Sequence, residues 1–165
     1  MDTAVKKILL VDDEPDMLTV NSGLLKSCGY KAFLAKDGYE ALEIIKKNQV
    51  DLIILDLMLP KIDGYLICGM LKRDVRYSSI PIIIVSARND EQDKKKAKAV
   101  GADDYIAKPF DPEKILSLVS SLFGTPLDEQ KLLIAKSKLS VKRKKFRRVS
   151  ERRKRNSRVK SELLL

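Results

Sequence analysis

The chain has 165 residues, of which 44% are hydrophobic and 34% charged, and its formal net charge is +10. It contains no histidine, which excludes a Ser-His-Asp hydrolase, a histidine zinc site and a histidine phosphocarrier. No apolar run approaches the ~20 residues that span a bilayer. The N-terminus lacks the layout of a secretory signal, so we expect a cytoplasmic protein.

The charge is divided unevenly along the chain. Residues 1–127 contain 18 Lys and Arg against 19 Asp and Glu, whereas residues 128–165 contain 15 against 4. We therefore predict one nearly neutral domain over residues 1–125 and a strongly basic extension over residues 126–165. Within the domain, Cys28 and Cys68 are expected to be free, half-buried thiols on helices, since no nearby histidine completes a metal site.

Short apolar runs alternate with amphipathic stretches along the domain. The runs suit strands buried on both faces of a parallel sheet: Lys7–Val11, Lys31–Ala35, Leu52–Leu55, Ile82–Val85 and Tyr105–Ala107. Apolar residues at three- and four-residue spacing or N-terminal helix signals predict helices between and after them: Pro15–Cys28, Tyr39–Asn48, Gly64–Val75, Asp90–Val100 and Asp111–Phe123. This strict alternation predicts an open parallel α/β sheet with helices on both faces.

Charged residues stand where three of the apolar runs end. Asp12 and Asp13 follow the first run, Asp56 follows the third, and Lys108 with Pro109 follows the fifth. Open α/β sheets bind ligands at the carboxyl ends of their strands. If these strands are neighbours, the three acids meet at one edge and need a cation to offset their repulsion. Each acid alone is equally well explained as a helix cap, but together with Lys108 they predict a site.

Four separated segments resemble the signatures of response-regulator receiver domains of two-component signalling: KKILLVDDEPDML, DLIILDLMLPKIDGY, IPIIIVSA and GADDYIAKPF. The resemblance covers about residues 5–123. It implies a flavodoxin-like fold, a doubly wound five-stranded parallel sheet of order 2-1-3-4-5. It also implies a stoichiometric phosphoacceptor with self-catalysed phosphotransfer and dephosphorylation, rather than an enzyme that turns over a metabolite.

The resemblance assigns roles to individual residues. Asp56 would accept the phosphoryl group as a carboxylate nucleophile. Mg²⁺ would be held by Asp13, Asp56 and the backbone carbonyl of Met58, with Asp12 acting directly or through water. Lys108 and Ser86 would each bind a phosphoryl oxygen.

Three further features follow from the same resemblance. The Lys108–Pro109 peptide bond would be cis. Ser86 and Tyr105 would form a switch that changes the surface of the fourth helix, fifth strand and fifth helix when Asp56 is phosphorylated. Tyr105 is also explained as a half-buried strand aromatic. The implied partners are a sensor histidine kinase or histidine phosphotransfer protein and a downstream protein target, and phosphorylation could produce a homodimer.

A second class of protein also uses an aspartyl nucleophile with magnesium, the haloacid-dehalogenase phosphatases. Their pattern places a second acid two residues after the nucleophile, directly after the first strand. Here the residue two positions after Asp56 is Met58, and the acids after the first run are adjacent, so this alternative is weak.

The basic extension contains no recognisable effector domain. Residues 136–160 carry 14 Lys and Arg against the single acid Glu151. Three explanations remain open: a solvated tail without a role, a helix with apolar residues near heptad positions, and an arm that binds nucleic acid or an anionic membrane. The candidates for such polyanion binding are Lys142, Arg143, Lys144, Lys145, Arg147, Arg148, Arg152, Arg153, Lys154 and Arg155.

Overall fold

The computed structural model describes residues 4–126, 128–134 and 137. Its strands are β1 (Lys7–Val11), β2 (Lys31–Ala35), β3 (Leu52–Asp56), β4 (Ile82–Ser86) and β5 (Asp104–Ala107). Its helices, which alternate with these strands, are α1 (Pro15–Ser27), α2 (Gly38–Lys47), α3 (Gly64–Arg73), α4 (Glu91–Ala99) and α5 (Pro112–Phe123). Residues 129–134 are also helical.

The strands form one parallel sheet in the order β2-β1-β3-β4-β5. The predicted flavodoxin-like, doubly wound topology is therefore confirmed. The strand β2 pairs with one edge of β1, and β3 pairs with the opposite edge of β1. The direction in which strands are added therefore reverses between β1 and β3. The carboxyl ends of these two strands border the crevice in which such folds bind ligands.

Two apolar layers cover the two faces of the sheet. On one face, α2, α3 and α4 pack on alternate strand residues such as Leu9 and Ile53. On the other face, α1 and α5 pack on the intervening residues, such as Ile8 and Leu52. Side chains of both sets are almost fully buried, which is why β1, β3 and β4 have near-continuous apolar sequences.

Aspartates begin most of the helices at the carboxyl edge of the sheet. Asp37, Asp63, Asp90 and Asp111 are the N-caps of α2, α3, α4 and α5, and each side chain accepts a hydrogen bond from an amide of the first turn. These carboxylates satisfy otherwise unpaired amides and interact favourably with the positive end of the helix dipole. They also surround the crevice with negative charge.

Several predicted bounds differ from the structure by one or two residues. β3 and β4 each extend one residue further, to Asp56 and Ser86, because backbone pairing in the sheet continues regardless of side-chain polarity. Four predicted helix ends fall on or next to C-cap residues: Cys28, Asn48, Val75 and Val100. The predicted starts at Asp90 and Asp111 are N-cap residues, and the predicted end at Phe123 agrees with the structure.

Three predictions of burial were wrong. The strands β2 and β5 are not buried on both faces, since they lie at the two edges of the sheet and most of their side chains are partly exposed. Cys68 is fully buried rather than half-buried, since α3 directs it into the core, whereas Cys28 is partly exposed after α1. Both cysteines are free thiols.

The beginning of the basic extension contacts the domain. Leu132 packs against the apolar layer formed with α1 and α5. The candidate polyanion-binding residues from Lys142 to Arg155 lie outside the described residues. Within the part of the chain that the structure describes, no helix is long and apolar enough to cross a bilayer.

Candidate functional site

Four neighbouring strands deliver polar residues to the same edge of the sheet. Asp12 directly follows β1, Asp56 ends β3, Ser86 ends β4 and Lys108 directly follows β5. These strands are adjacent in the order β1-β3-β4-β5. In the register of the sheet, Asp56 lies opposite Val85 and Ser86 lies opposite Ala107. The predicted site residues are thus brought to one edge by strand pairing.

Lys108 joins two of the acids. Its Nζ lies 2.6 Å from Oδ2 of Asp56 and 3.0 Å from Oδ2 of Asp12. Burial by itself lowers the pKa of Lys108, but the two hydrogen-bonded carboxylates more than offset this and the pKa is raised. The ammonium group is therefore held in its charged form and oriented on Asp56. The Lys108–Pro109 peptide bond is cis.

The carboxylates of Asp12 and Asp56 are buried and held by neighbouring amides. Oδ1 of Asp12 accepts a hydrogen bond of 2.9 Å from the amide of Glu14, and Oδ1 of Asp56 accepts one of 2.8 Å from the amide of Met58. Burial raises the pKa of Asp12, while the hydrogen bond from Glu14 and the charge of Lys108 act in the opposite direction. The two side chains are thereby fixed in orientation before any ligand binds.

The acids also form a group suited to a metal ion. One carboxylate oxygen from each of Asp12, Asp13 and Asp56 lies within 4.8 Å of the others, and Asp13 is exposed to solvent while the other two are buried. Hard oxygen donors with an open, solvent-facing side match Mg²⁺, which keeps several waters or phosphate oxygens among its ligands. The residues present therefore fit the predicted ion.

A glycine allows α3 to begin directly against the site. A Cβ on Gly64 would lie 2.6 Å from the carbonyl oxygen of Asp56 and 2.8 Å from Cα of Leu57. Any larger residue would push the helix away from the end of β3. Gly64 thus maintains the loop that carries Met58, whose side chain is exposed and whose amide orients Asp56.

The two candidate switch residues, Ser86 and Tyr105, both form hydrogen bonds with the backbone of Arg88, in the loop between β4 and α4. Oγ of Ser86 accepts a hydrogen bond of 3.1 Å from the amide of Arg88, and the hydroxyl of Tyr105 donates one of 2.7 Å to the carbonyl of Arg88. Burial raises the pKa of Tyr105, partly opposed by the nearby Ser86 hydroxyl. A movement of Ser86 would therefore be transmitted to Tyr105 through the backbone of Arg88.

An ion pair and a hydrogen bond extend these contacts from Arg88 to α3, through residues that were not predicted from the sequence. The guanidinium of Arg88 lies 3.7 Å from Oδ1 of Asp93, and the hydroxyl of Tyr65 donates a hydrogen bond of 2.9 Å to the same oxygen. Burial, followed by the bond to Asp93, raises the pKa of Tyr65. No spacing in the sequence signals this contact, because it depends on how closely α3 and α4 approach.

Comparison with known proteins agrees with this geometry. The family model of the response regulator receiver domain matches residues 8–120. The "DNA-binding dual master transcriptional regulator RpaA" of Synechocystis is 42% identical over 119 residues, which cover 70% of this chain and 48% of that protein. The "alkaline phosphatase synthesis transcriptional regulatory protein PhoP" of Bacillus subtilis is 40% identical over 117 residues, covering 71% and 48%. The chain spans about half the length of these relatives.

Solved structures show the same fold. The chemotaxis response regulator CheY4 of Vibrio cholerae superposes with a TM-score of 0.69 at 31% identity, covering 72% of this chain and 99% of that one. The BeF3-activated receiver domain of DrrB has a TM-score of 0.67 at 30% identity, covering 73% and 98%. With the family match over most of the domain, the chain belongs to the response regulator receiver domain family.

Proposed function

We propose that this chain receives a phosphoryl group on Asp56 from a sensor histidine kinase or a histidine phosphotransfer protein. The observation that carries the proposal is the pair of contacts made by Asp56, whose Oδ1 is fixed by the Met58 amide and whose Oδ2 is paired with Lys108. A buried carboxylate held at both oxygens beside a cation is arranged to act as a nucleophile and to have its product stabilised.

In the proposed reaction a carboxylate oxygen of Asp56 attacks the phosphorus of a phosphohistidine. The bond between phosphorus and the imidazole nitrogen breaks, its electron pair returns to that nitrogen, and an acyl phosphate forms on Asp56. Lys108 then pairs with an oxygen of the phosphoryl group, and the hydroxyl of Ser86 donates a hydrogen bond to another. The chain itself is consumed stoichiometrically and regenerated by hydrolysis.

Mg²⁺ is the proposed cofactor, held by Asp12, Asp13, Asp56 and the backbone carbonyl of Met58. When bound, it offsets the charge of the carboxylates and of the transferred phosphoryl group. Three acids and one lysine leave an excess of negative charge at the site, which would otherwise repel a phosphoryl donor.

The proposed output is a change in the surface formed by α4, β5 and α5. Ser86 and Tyr105 both bind the backbone of Arg88, at the entrance to α4. Drawing Ser86 toward a phosphoryl group would alter this loop and so bias the position of α4 and the ring of Tyr105. The partners proposed for this surface are a downstream protein or a second copy of the chain, in the cytoplasm.

The test is phosphorylation of the full chain by acetyl phosphate with Mg²⁺, measured by intact mass. We expect one phosphoryl group on the natural chain, none on Asp56→Asn and none after chelation of the metal. Asp16→Asn removes an exposed acid from the first turn of α1 and should leave phosphorylation intact. Equal labelling of Asp56→Asn and the natural chain would rule the proposal out.

A second function is favoured by the division of charge. Residues 128–165 carry 15 basic and 4 acidic residues next to a nearly neutral domain, which suits an arm that binds nucleic acid phosphates or an anionic membrane. Binding of duplex DNA and of phosphatidylserine vesicles should fall steeply with salt in the full chain. The same affinity in a chain that ends at residue 127 would exclude the tail from this role.

A further inference from the structure

A groove lies between α3 and α4, apart from the phosphoacceptor site. Its volume is about 420 Å³, and its lining includes Leu66, Gly69, Arg73, Lys96 and Ala99. α4 contributes few buried residues to the core, only Ala97 among its described positions. The two helices therefore meet along part of their length and leave an open channel on the surface between them.

Gly69 forms the floor of this groove, and the packing of the chain does not require a glycine there. A Cβ on Gly69 would lie 3.5 Å from the Arg73 side chain and 3.8 Å from Cβ of Val100, which are ordinary contacts. This contrasts with Gly64 in the same helix, where a Cβ would overlap backbone atoms. A glycine inside a helix costs about 0.5–1 kcal/mol relative to alanine. The Arg73 guanidinium and Val100 lie beside this position, which has room for a Cβ without a clash.

Leu66 gives the groove an exposed apolar side chain, and Met70 extends this apolar surface beyond the lining of the groove. Leu66 is 52% exposed and Met70 is 44% exposed, although both are large apolar side chains. They are four residues apart on α3, so they lie next to each other on the same face of the helix. Leu66 and Met70 form an apolar ridge, and Gly69, which has no side chain, leaves a shallow recess beside Leu66 where an apolar side chain of a partner can pack.

The lining of the groove contains two cations without carboxylate partners among the described residues and one acid, Asp63, which accepts a hydrogen bond from the amide of Tyr65. Neither Arg73 nor Lys96 forms an ion pair with any described residue, and the ammonium of Lys96 lies 4.3 Å from the ring centre of Tyr65. The exposed side of α4 adds Lys95 and Lys98. Because these four cations outnumber Asp63, the surface around the groove is positive overall, and it would repel the basic tail of the chain and attract a negatively charged partner.

We propose that this groove is a docking surface for an acidic amphipathic helix of a partner protein. An apolar side chain of that helix would occupy the recess over Gly69 against Leu66, and its carboxylates would meet Arg73 and Lys96. Binding of an amphipathic helix in an apolar groove, with charge complementarity at the rim, is a recurring mode of recognition. The proposal does not rest on phosphoryl transfer to Asp56, so failure of either proposal leaves the other intact.

The test uses the full chain labelled with ¹⁵N and two short helical peptides with the same leucine spacing. One peptide carries glutamates beside the leucines, and the other carries lysines at the same positions. We expect the glutamate peptide to shift the amide signals of Leu66, Gly69 and Ala99 in a saturable manner, and the lysine peptide to leave them unchanged. Because the signals are assigned to residues, binding of the glutamate peptide to the basic tail is distinguished from binding in the groove.

Two variants test the recess and the charges separately. Gly69→Leu should weaken binding of the glutamate peptide about tenfold, which corresponds to about 1.4 kcal/mol of binding free energy. The double variant Arg73→Glu and Lys96→Glu should no longer bind the glutamate peptide and should bind the lysine peptide instead. Its matched control, Lys26→Glu with Lys36→Glu, reverses two exposed cations outside the groove and should keep the natural preference.

Three results would overturn the proposal. The first is that the shifts caused by the glutamate peptide fall outside the groove. The second is that reversing Arg73 and Lys96 does not transfer the preference to the lysine peptide. The third is that the groove signals depend on protein concentration without peptide while sedimentation shows a dimer, since the occupant would then be a second copy of the chain.

Discussion

Nζ of Lys108 lies 2.6 Å from Oδ2 of Asp56, a shorter distance than its 3.0 Å contact with Asp12. The lysine is therefore the internal counter-ion of a carboxylate whose residue is only 4% exposed. Without it, two buried acids would have only each other and the solvent-exposed Asp13 as charged neighbours in the cluster. The pair is both part of the proposed chemistry and part of the stability of the metal-free chain.

Replacing Lys108 with methionine should destabilise the metal-free chain by about 2–3 kcal/mol, because it leaves buried carboxylates without a partner. Urea unfolding measures this loss. Added Mg²⁺ should recover part of it, since an ion that binds only the folded state stabilises that state. Lys114→Met, which removes an exposed lysine of α5, is the control and should change stability little. Equal effects of the two variants would contradict the role assigned to Lys108.

Replacing the two glycines of α3 with alanine, one at a time, should change the stability of the chain in opposite directions. Gly64→Ala places a Cβ within 2.6 Å of the Asp56 carbonyl oxygen, so it should destabilise the chain and slow phosphorylation of Asp56. Gly69→Ala meets only ordinary contacts and should stabilise the chain by about 0.5–1 kcal/mol. Thermal unfolding of both variants compares them, and a similar shift in both would refute the geometry.

Tyr65→Phe should loosen the start of α4. The variant keeps the buried ring but removes the hydroxyl that donates to the Asp93 carboxylate at 2.9 Å, a bond worth about 1.5–3 kcal/mol. Hydrogen exchange should accelerate at the amides of Asp93 and Lys94, which bond to Asp90 at the beginning of the helix. Tyr39→Phe, at an exposed tyrosine of α2, should leave exchange in α4 unchanged.

Stability should fall with rising pH through titration of Cys68. Burial raises the pKa of this thiol from 9.0 to about 11. Between these values the folded chain binds a proton that the unfolded chain has lost, so stability is lost as the pH rises, by an amount on the order of 2 kcal/mol. Cys68→Ala should reduce the slope of unfolding free energy against pH from 9 to 11. Cys28→Ala, at a half-buried thiol, should reduce it less.

Some parts of the sheet and of its site could be predicted from the sequence, and others could not. Continuous apolar runs identified β1, β3 and β4, and the residues at their ends placed Asp12 and Asp56 at one edge. The burial expected from the same rule was wrong for β2 and β5, because each lies at an edge of the sheet and has a neighbouring strand on one side only. The polar residue Ser86 was left out of β4, although its backbone continues the pairing with β5.

Contacts between helices could not be predicted from the sequence. The bond from Tyr65 to Asp93 joins α3 to α4, and its formation depends on the separation and rotation of the two helices. The same holds for the groove floor at Gly69, which in the sequence is one small residue within an amphipathic pattern. The charges of the tail were evident from composition, but composition does not determine what a basic segment binds.

The hydrogen bond between Lys108 and Asp12 joins residues separated by 96 positions, nearly the full length of the receiver domain. Asp56, Lys108 and the acids around them therefore assemble only after the last strand has joined the sheet. A chain still emerging from the ribosome, or one cut between α3 and β5, would keep every strand-end acid and still lack the pocket. The phosphoryl transfer that we propose would therefore require complete folding, and an unfinished molecule would not divert phosphoryl groups from the proposed donor.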